Sequence, residues 1–365
     1  MKYLWISTII AGLWMAAAVT PVGAVTPISQ NPYIGAVEMN GNTGEILWEK
    51  NADGQCYPAS SLKLMVLYIY LEALDLGVVT IDEQVSVSKE AYEMGGSQVY
   101  LDPRETFSVE EMLYALMVQS ANDVAVALAE HLAGSVDTFV RLMNEKAKAL
   151  GMKNTTFYSP HGLILPGTPP DVSTARDMAI LSYELLKHPE TTRFTSVTTR
   201  TFRPGVTEMR NHNKLLWDYP GCDGLKTGYT AAAGYSICAT AERNGRRAIA
   251  VVVGAKSHIT RNEEASALMS QAFLTMATNE AKEETEGSGG SASPGSGPRN
   301  QMAPPSGEKA PTATTTAAVP TAPPPPAQRH SSGRAILLSI FSFLLGVIVT
   351  ATAMKLMAQK NMMFR

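Results

Sequence analysis

The chain has 365 residues, 45% hydrophobic and 17% charged, with 30 basic side chains against 33 acidic ones and a formal net charge of −3. At ~150 residues per domain this length allows two domains, or one large domain with appendages. The near balance of charge excludes a dedicated basic nucleic-acid binder. These averages hide segregation, because apolar residues gather at both ends and proline in one late stretch.

Residues 1–24 read as an export signal: Lys2 supplies a positive start, residues 4–19 an apolar core, and Val22-Gly23-Ala24 the small residues that a signal peptidase accepts. A soluble head is expected over residues 25–279. Its first element is a β-hairpin, with IGAVEM and EILWEK flanking Asn40-Gly41-Asn42-Thr43-Gly44. From Leu62 the run LKLMVLYIYLEAL is apolar on nearly every side, as for a helix in the middle of a domain. Residues 108–150 carry successive helical patterns. LKTGYT, GYSICATAER and RRAIAVVVGA then read as consecutive strands, and a last helix is expected over about 261–278. Strands, a helical insert and strands again predict an α/β (α+β) molecule: a mostly antiparallel sheet flanked by helices, with an all-helical lobe.

Residues 280–334 lose apolar periodicity and become rich in Gly, Ser, Thr and Pro, a composition expected to form a disordered stalk. Residues 335–354 contain no charged side chain and are long enough to cross a hydrocarbon core ~30 Å thick. A short basic tail, 355–365, follows. The expectation is a single-pass anchor near the C-terminus of the chain, with the head outside the cell membrane and the tail inside. Three cysteines, Cys56, Cys222 and Cys238, make no disulfide framework, since an odd number leaves at least one thiol free. The six histidines show no metal-ligand spacing with Cys or acidic residues.

The chemistry centres on Pro58-Ala59-Ser60-Ser61-Leu62-Lys63. Ser60 opens the buried helix, and the i,i+3 spacing sets Lys63 on its face. A serine becomes a useful nucleophile when a base stands beside it, and a lysine serves once burial, the helix N-terminus and a second cation lower its pKa. Ser86-Val87-Ser88-Lys89 has the same spacing but falls in an alternating, strand-like pattern, so Ser60 is preferred. Ser120-Ala121-Asn122 lies on a connection between helical patterns, where polar side chains project into a cleft. Lys226-Thr227-Gly228 lies at a predicted strand end, where Lys and Thr bind a carboxylate and Gly admits a close backbone approach.

With these three elements in this order, the chain resembles the serine penicillin-recognising enzymes. Within that group it looks most like the low-molecular-mass penicillin-binding proteins of the D-alanyl-D-alanine carboxypeptidase family. PASSLKLM, QSANDVAVALA, NTTFYSPHGL, STARDMA and DGLKTGYTAAAGY carry the resemblance across the head. It implies a β-lactamase/transpeptidase-like fold and a serine peptidase that needs no cofactor. The implied substrate is a peptidoglycan stem peptide ending in D-Ala-D-Ala, with β-lactams as inhibitors. It also implies roles: Ser60 attacks, Lys63 takes its proton, Ser120 relays a proton to the leaving D-Ala, and Asn122 holds the peptide carbonyl. Lys226 and Thr227 fix the terminal carboxylate, Gly228 lets the substrate approach, and the N–H groups of Ser60 and Tyr229 form the oxyanion hole. His161 is expected to be structural. Asp171 and Val172 stand where the family often has a His. Rival readings are a D,D-endopeptidase cutting crosslinks, a β-lactamase, and a catalytically silent wall-binding protein. The second lacks support, since no Glu-x-x-x-Asn lies between Asn122 and Lys226. The third is disfavoured by the intact Ser60, Lys63, Ser120, Asn122 and Lys226.

Overall fold

A computed structural model of the protein describes residues 32–203 and 207–288. The expected export signal, membrane span and basic tail lie outside these residues, as does most of the expected stalk. Among the described residues no helix is long and apolar enough to cross a membrane.

The first hairpin forms as expected. Strands β1 (Gly35–Asn40) and β2 (Ile46–Lys50) pair antiparallel. Asn40 closes their turn by accepting, through Oδ1, from the backbone N–H of Asn42 at 2.9 Å and of Thr43 at 3.3 Å. A 3-10 turn, Ala59–Leu62, then leads into α1 (Lys63–Asp75), whose residues from Lys63 to Leu71 are all buried. Short strands β3 (Gln84–Ser86) and β4 (Thr106–Ser108) pair with each other and flank α2 (Lys89–Tyr92).

The helical lobe starts at α3 (Val109–Tyr114), held by a capping box: Ser108 Oγ accepts from Glu111 N–H while the Glu111 carboxylate accepts from Ser108 N–H. A π-helical stretch, Ala115–Gln119, follows, then α4 (Asn122–Ala133) and α5 (Val136–Leu150). Next come α6 (Ala175–Leu185), α7 (Thr191–Thr195), the hairpin of β5 (Thr199–Arg203) and β6 (Thr207–Arg210), and α8 (Leu215–Asp218).

Three long strands, β7 (Cys222–Thr230), β8 (Gly234–Arg243) and β9 (Arg246–Ala255), complete the main sheet, whose order is β2-β1-β9-β8-β7 with every pair antiparallel. Both faces are covered, which explains the nearly unbroken apolar run of β9. Val37, Met39, Ile249, Val251 and Val253 join the core that holds α1 and α6. Ala36, Ala248, Ala250 and Val252 pack on Leu268, Met269 and Ala272 of the last helix, α9 (His258–Ser288).

The molecule is therefore a mixed α/β protein with an antiparallel sheet flanked by helices. Two boundaries differ from expectation. Lys226-Thr227-Gly228 lies inside β7 rather than at its end, because the strand continues to Thr230 and pairs with β8 as far as Gly234. The last helix runs on to Ser288, into the stretch expected to be disordered from 280, where Glu280, Ala281, Lys282, Glu283 and Glu284 are strong helix formers. Glu280 is also tied to Arg246 of β9 by an ion pair at 2.5 Å. The three cysteines are free thiols.

Candidate active site

Three pieces of backbone converge on Ser60. The turn that carries it starts at Ala59, held at φ +47°. Strand β7 passes so close that a Cβ on Gly228 would sit 2.5 Å from Pro58 O and 3.2 Å from Ser60 N. On the other side, a Cβ on Gly162 would fall 2.3 Å from Ala59 O, and Gly162 has a φ of +82°. Glycine is required at both positions for contact and at Gly162 for conformation as well.

Lys63 opens α1 and is 0% exposed. Its Nζ lies 3.0 Å from Ser60 Oγ, 2.7 Å from Asn122 Oδ1 and 2.7 Å from the His161 carbonyl. Burial pushes the amine well below its ordinary pKa, and the nearby Lys226 pushes the same way, against the weaker pull of Asp171 and Asp123. Nζ stands as donor to all three oxygens. Two of them are carbonyl oxygens that can only accept, so an amine that has lost one proton keeps its two N–H groups on these and turns its lone pair to the Ser60 hydroxyl.

Ser120 ends the π-helical stretch with φ +61° and ψ +34°, a left-handed conformation that turns a buried hydroxyl toward the cleft. Asn122 is the first residue of α4, and its side chain is already engaged: Oδ1 accepts from Lys63, and Nδ2 donates to Gly95 O at 2.8 Å. One N–H of that amide is left for a ligand. Lys226, 2% exposed, stands in β7 with Nζ 3.1 Å from Thr227 O. Burial, with Arg261 adding to it, pushes this lysine down to about 7. Ser60, Ser120, Asn122, Thr227, Gly228 and Tyr229 all line one cleft of about 710 Å³. Tyr229 is half exposed and stacks on Tyr235 with ring centroids 4.2 Å apart.

His161 acts through its backbone, and its Nδ1 accepts from Leu163 N–H at 3.0 Å. Burial and Lys63 hold its ring down to about 3, so it is neutral. The loop it sits in is organised by Asp171, which accepts from Tyr158 N–H at 2.6 Å, Ser159 N–H at 2.9 Å and Ser159 Oγ at 2.7 Å. Sequence reading gave Asp171 no part in the site, since a single carboxylate before the STARDMA segment has no distinguishing spacing. Arg261 was missed too. It is buried, forms no ion pair among the described residues, and donates from Nε and Nη2 to Asn262 Oδ1 at 3.0 and 2.8 Å. With Lys226 it makes this end of the cleft positive. Among the described residues, no group of His, Cys, Asp and Glu has a metal-holding arrangement.

Residues 30–257 match the family model described as D-alanyl-D-alanine carboxypeptidase. The chain is 41% identical over 247 residues to the D-alanyl-D-alanine carboxypeptidase DacF of Bacillus subtilis, a match covering 67% of this chain and 63% of that protein. With DacC of Escherichia coli it shares 39% identity over 238 residues, covering 63% of this chain and 58% of DacC. The chain thus spans less than two thirds of the length of either relative. Among solved structures, penicillin-binding protein 5 of Haemophilus influenzae aligns with a TM-score of 0.63 at 36% identity, covering 69% of this chain and 73% of the other. Penicillin-binding protein D2 of Listeria monocytogenes, solved in its ampicillin-bound form, aligns with a TM-score of 0.60 at 36% identity, covering 67% and 98%. On the match over residues 30–257, this chain belongs to the D-alanyl-D-alanine carboxypeptidase family.

Proposed function

We propose that the protein is a serine-type D-alanyl-D-alanine carboxypeptidase that removes the terminal D-Ala from peptidoglycan stem pentapeptides. The observation that carries this reading is the buried Lys63 amine, 3.0 Å from Ser60 Oγ, with its other two contacts both carbonyl oxygens.

In the first half-reaction Ser60 Oγ gives its proton to Lys63 Nζ and bonds to the carbonyl carbon of the penultimate D-Ala. The carbonyl π pair moves to oxygen, and the backbone N–H groups of Ser60 and Tyr229 hold the oxyanion. Removal of such a donor typically costs ~3–4 kcal/mol. The oxyanion then collapses and the C–N bond breaks, while the proton passes from Lys63 through the Ser120 hydroxyl to the leaving nitrogen. Asn122 offers its remaining N–H to the stem peptide. Lys226, Thr227 and Arg261 hold the terminal carboxylate, which restricts the site to free C-termini, and Gly228 admits the substrate backbone. Water completes the cycle by attacking the acyl-enzyme, its proton returning to Ser60 through Lys63. A β-lactam, whose carboxylate and strained amide mimic the same ends, acylates Ser60 and leaves slowly.

The reading includes a location. The export signal at 1–24, the stalk after the head and the apolar 335–354 together favour a head held outside the cell membrane by a single span. Protease added to intact cells is expected to release the head by cutting between 289 and 334, and a protected head would contradict this orientation.

The activity is tested by incubating the full chain with a pentapeptide ending in D-Ala-D-Ala and with a crosslinked stem-peptide dimer. Release of D-Ala from the first, faster than cleavage of the second, is the expected result. Protein that takes up fluorescent penicillin yet releases no D-Ala overturns the assignment, and faster cleavage of the dimer favours the endopeptidase.

A further inference from the structure

Glu38 sits in the middle of β1, 1% exposed, and neither carboxyl oxygen meets a hydrogen-bond partner among the described residues. Strand alternation explains how it comes to be there: Val37 and Met39 face the α1 side, so Glu38 shares the opposite face with Ala36, under α9. It borders a groove of about 410 Å³ between β2 and α9, walled by Leu47, Trp48 and Leu268 and rimmed by Gln271 and Thr275. Burial alone pushes the carboxyl up to about 7. A leucine here would pack on Ala36 and Leu268 with no such penalty, and a buried unpaired charge is among the costlier features a fold can carry.

The groove selects its occupant by chemistry. A divalent metal ion requires about six oxygen ligands, and here one carboxyl, one amide and one hydroxyl stand among apolar walls. An alkyl ammonium needs less. Its three N–H donors suit the Glu38 oxygens and one rim oxygen, and its carbon chain suits Leu47 and Leu268. The indole of Trp48, 39% exposed, offers a face to the cation.

We propose that this groove, on the sheet face turned away from α1, binds an aliphatic primary ammonium, with Glu38 as its counter-ion, the Trp48 indole facing the cation, and Leu47 and Leu268 flanking its carbon chain. The site shares no lining residue with the Ser60 cleft, so it is independent of the proposed peptidase activity.

The test labels the full chain with 5-fluorotryptophan and follows the Trp48 ¹⁹F resonance, assigned with Trp48→Phe. Titrants at pH 8 are n-pentylamine, Nα-acetyl-lysine amide and, as the uncharged control, pentan-1-ol. Both amines are expected to shift the resonance saturably, and pentan-1-ol to bind wild type no better than Glu38→Gln. In Glu38→Gln the amine affinity is expected to fall at least ~10-fold. Uptake of fluorescent penicillin reports that the variant is folded. Gln271→Arg, at an exposed position, lets a side chain supply the cation and is expected to abolish amine binding. Tighter binding of pentylamine points to a free amine, and of the lysine amide to a peptide-borne one. No saturable shift with either amine overturns the proposal, as does undiminished affinity in the folded Glu38→Gln variant or, should that variant not fold, in Gln271→Arg.

Discussion

In the turn at Ser60 the lysine three residues on is wholly buried and reaches the serine hydroxyl, whereas after Ser86 the lysine three residues on is 83% exposed and pairs with Glu93 at 3.5 Å. Ser86 is the exposed end of a three-residue strand, and Ser88 spends its hydroxyl capping α2 through Ala91 N–H. Identical spacing thus yields a buried serine–lysine contact in one place and a solvated ion pair in the other. The spacing supplies adjacency only. What holds and desolvates Lys63 is supplied from far along the chain: Asn122, the His161 carbonyl, and the approach of β7 and the 159–163 loop to the turn.

The comparison breaks most directly at the two serines. Ser60→Ala is expected to abolish fluorescent-penicillin labelling and to cut D-Ala release by on the order of 10⁴ or more, while Ser86→Ala leaves both intact. A penicilloyl adduct found by mass spectrometry on Ser86 would reverse the assignment. Next come the lysines. Lys63→Ala removes the base and is expected to lower the acylation rate by ~10²–10⁴, against no change for Lys89→Ala, measured by stopped-flow with a chromogenic cephalosporin.

The second buried lysine is expected to give an alkaline limb to the pH profile. In its proposed role Lys226 holds a carboxylate only when protonated, and burial pushes it down to about 7, so kcat/KM is expected to fall as pH rises through that value. Lys226→Arg keeps the charge and is expected to remove this limb from the neutral range. An unchanged limb would assign it to another group. A smaller effect is expected from Gly228→Val, whose Cβ meets Pro58 O and forces β7 off the turn: on the order of 10²-fold in acylation, with the fold retained. Smallest is Ser120→Gly. It relieves a left-handed serine and is expected to raise thermal stability by ~1 kcal/mol while D-Ala release slows for want of the proton relay to the leaving nitrogen. Lower stability would show that the buried hydroxyl contributes more than the strain removes.

Much of this was legible in the sequence because it is local. The hairpin, the buried helix after Leu62 and the three late strands follow from periodicity, and the three short motifs are recognisable as short local strings, although Lys226-Thr227-Gly228 lies inside β7 and not at its end. What escaped was set by layers stacked from distant segments. Alternation in IGAVEM places Glu38 on the face opposite Val37 and Met39, and nothing near it in sequence shows that this face is covered; α9, over two hundred residues later, covers it. Asp171 and Arg261 are single charged residues without a motif, and their importance lies in which loop or lysine they adjoin. The length of α9 was underestimated because its last residues have helix propensity without apolar periodicity.

The order of the main sheet has one more consequence. β7 is its outermost strand, so one backbone edge pairs with no strand in that sheet. Thr195 and Asn213 cap the carbonyls of Asp223 and Gly224 near its start, but Thr227, Gly228 and Tyr229 lie open to the cleft. An extended peptide laid along them would add itself to the sheet, recognised first by the direction and handedness of its main chain. Discrimination between D- and L-residues would then begin in the hydrogen-bonding rhythm of an unfinished sheet, before any side chain is read.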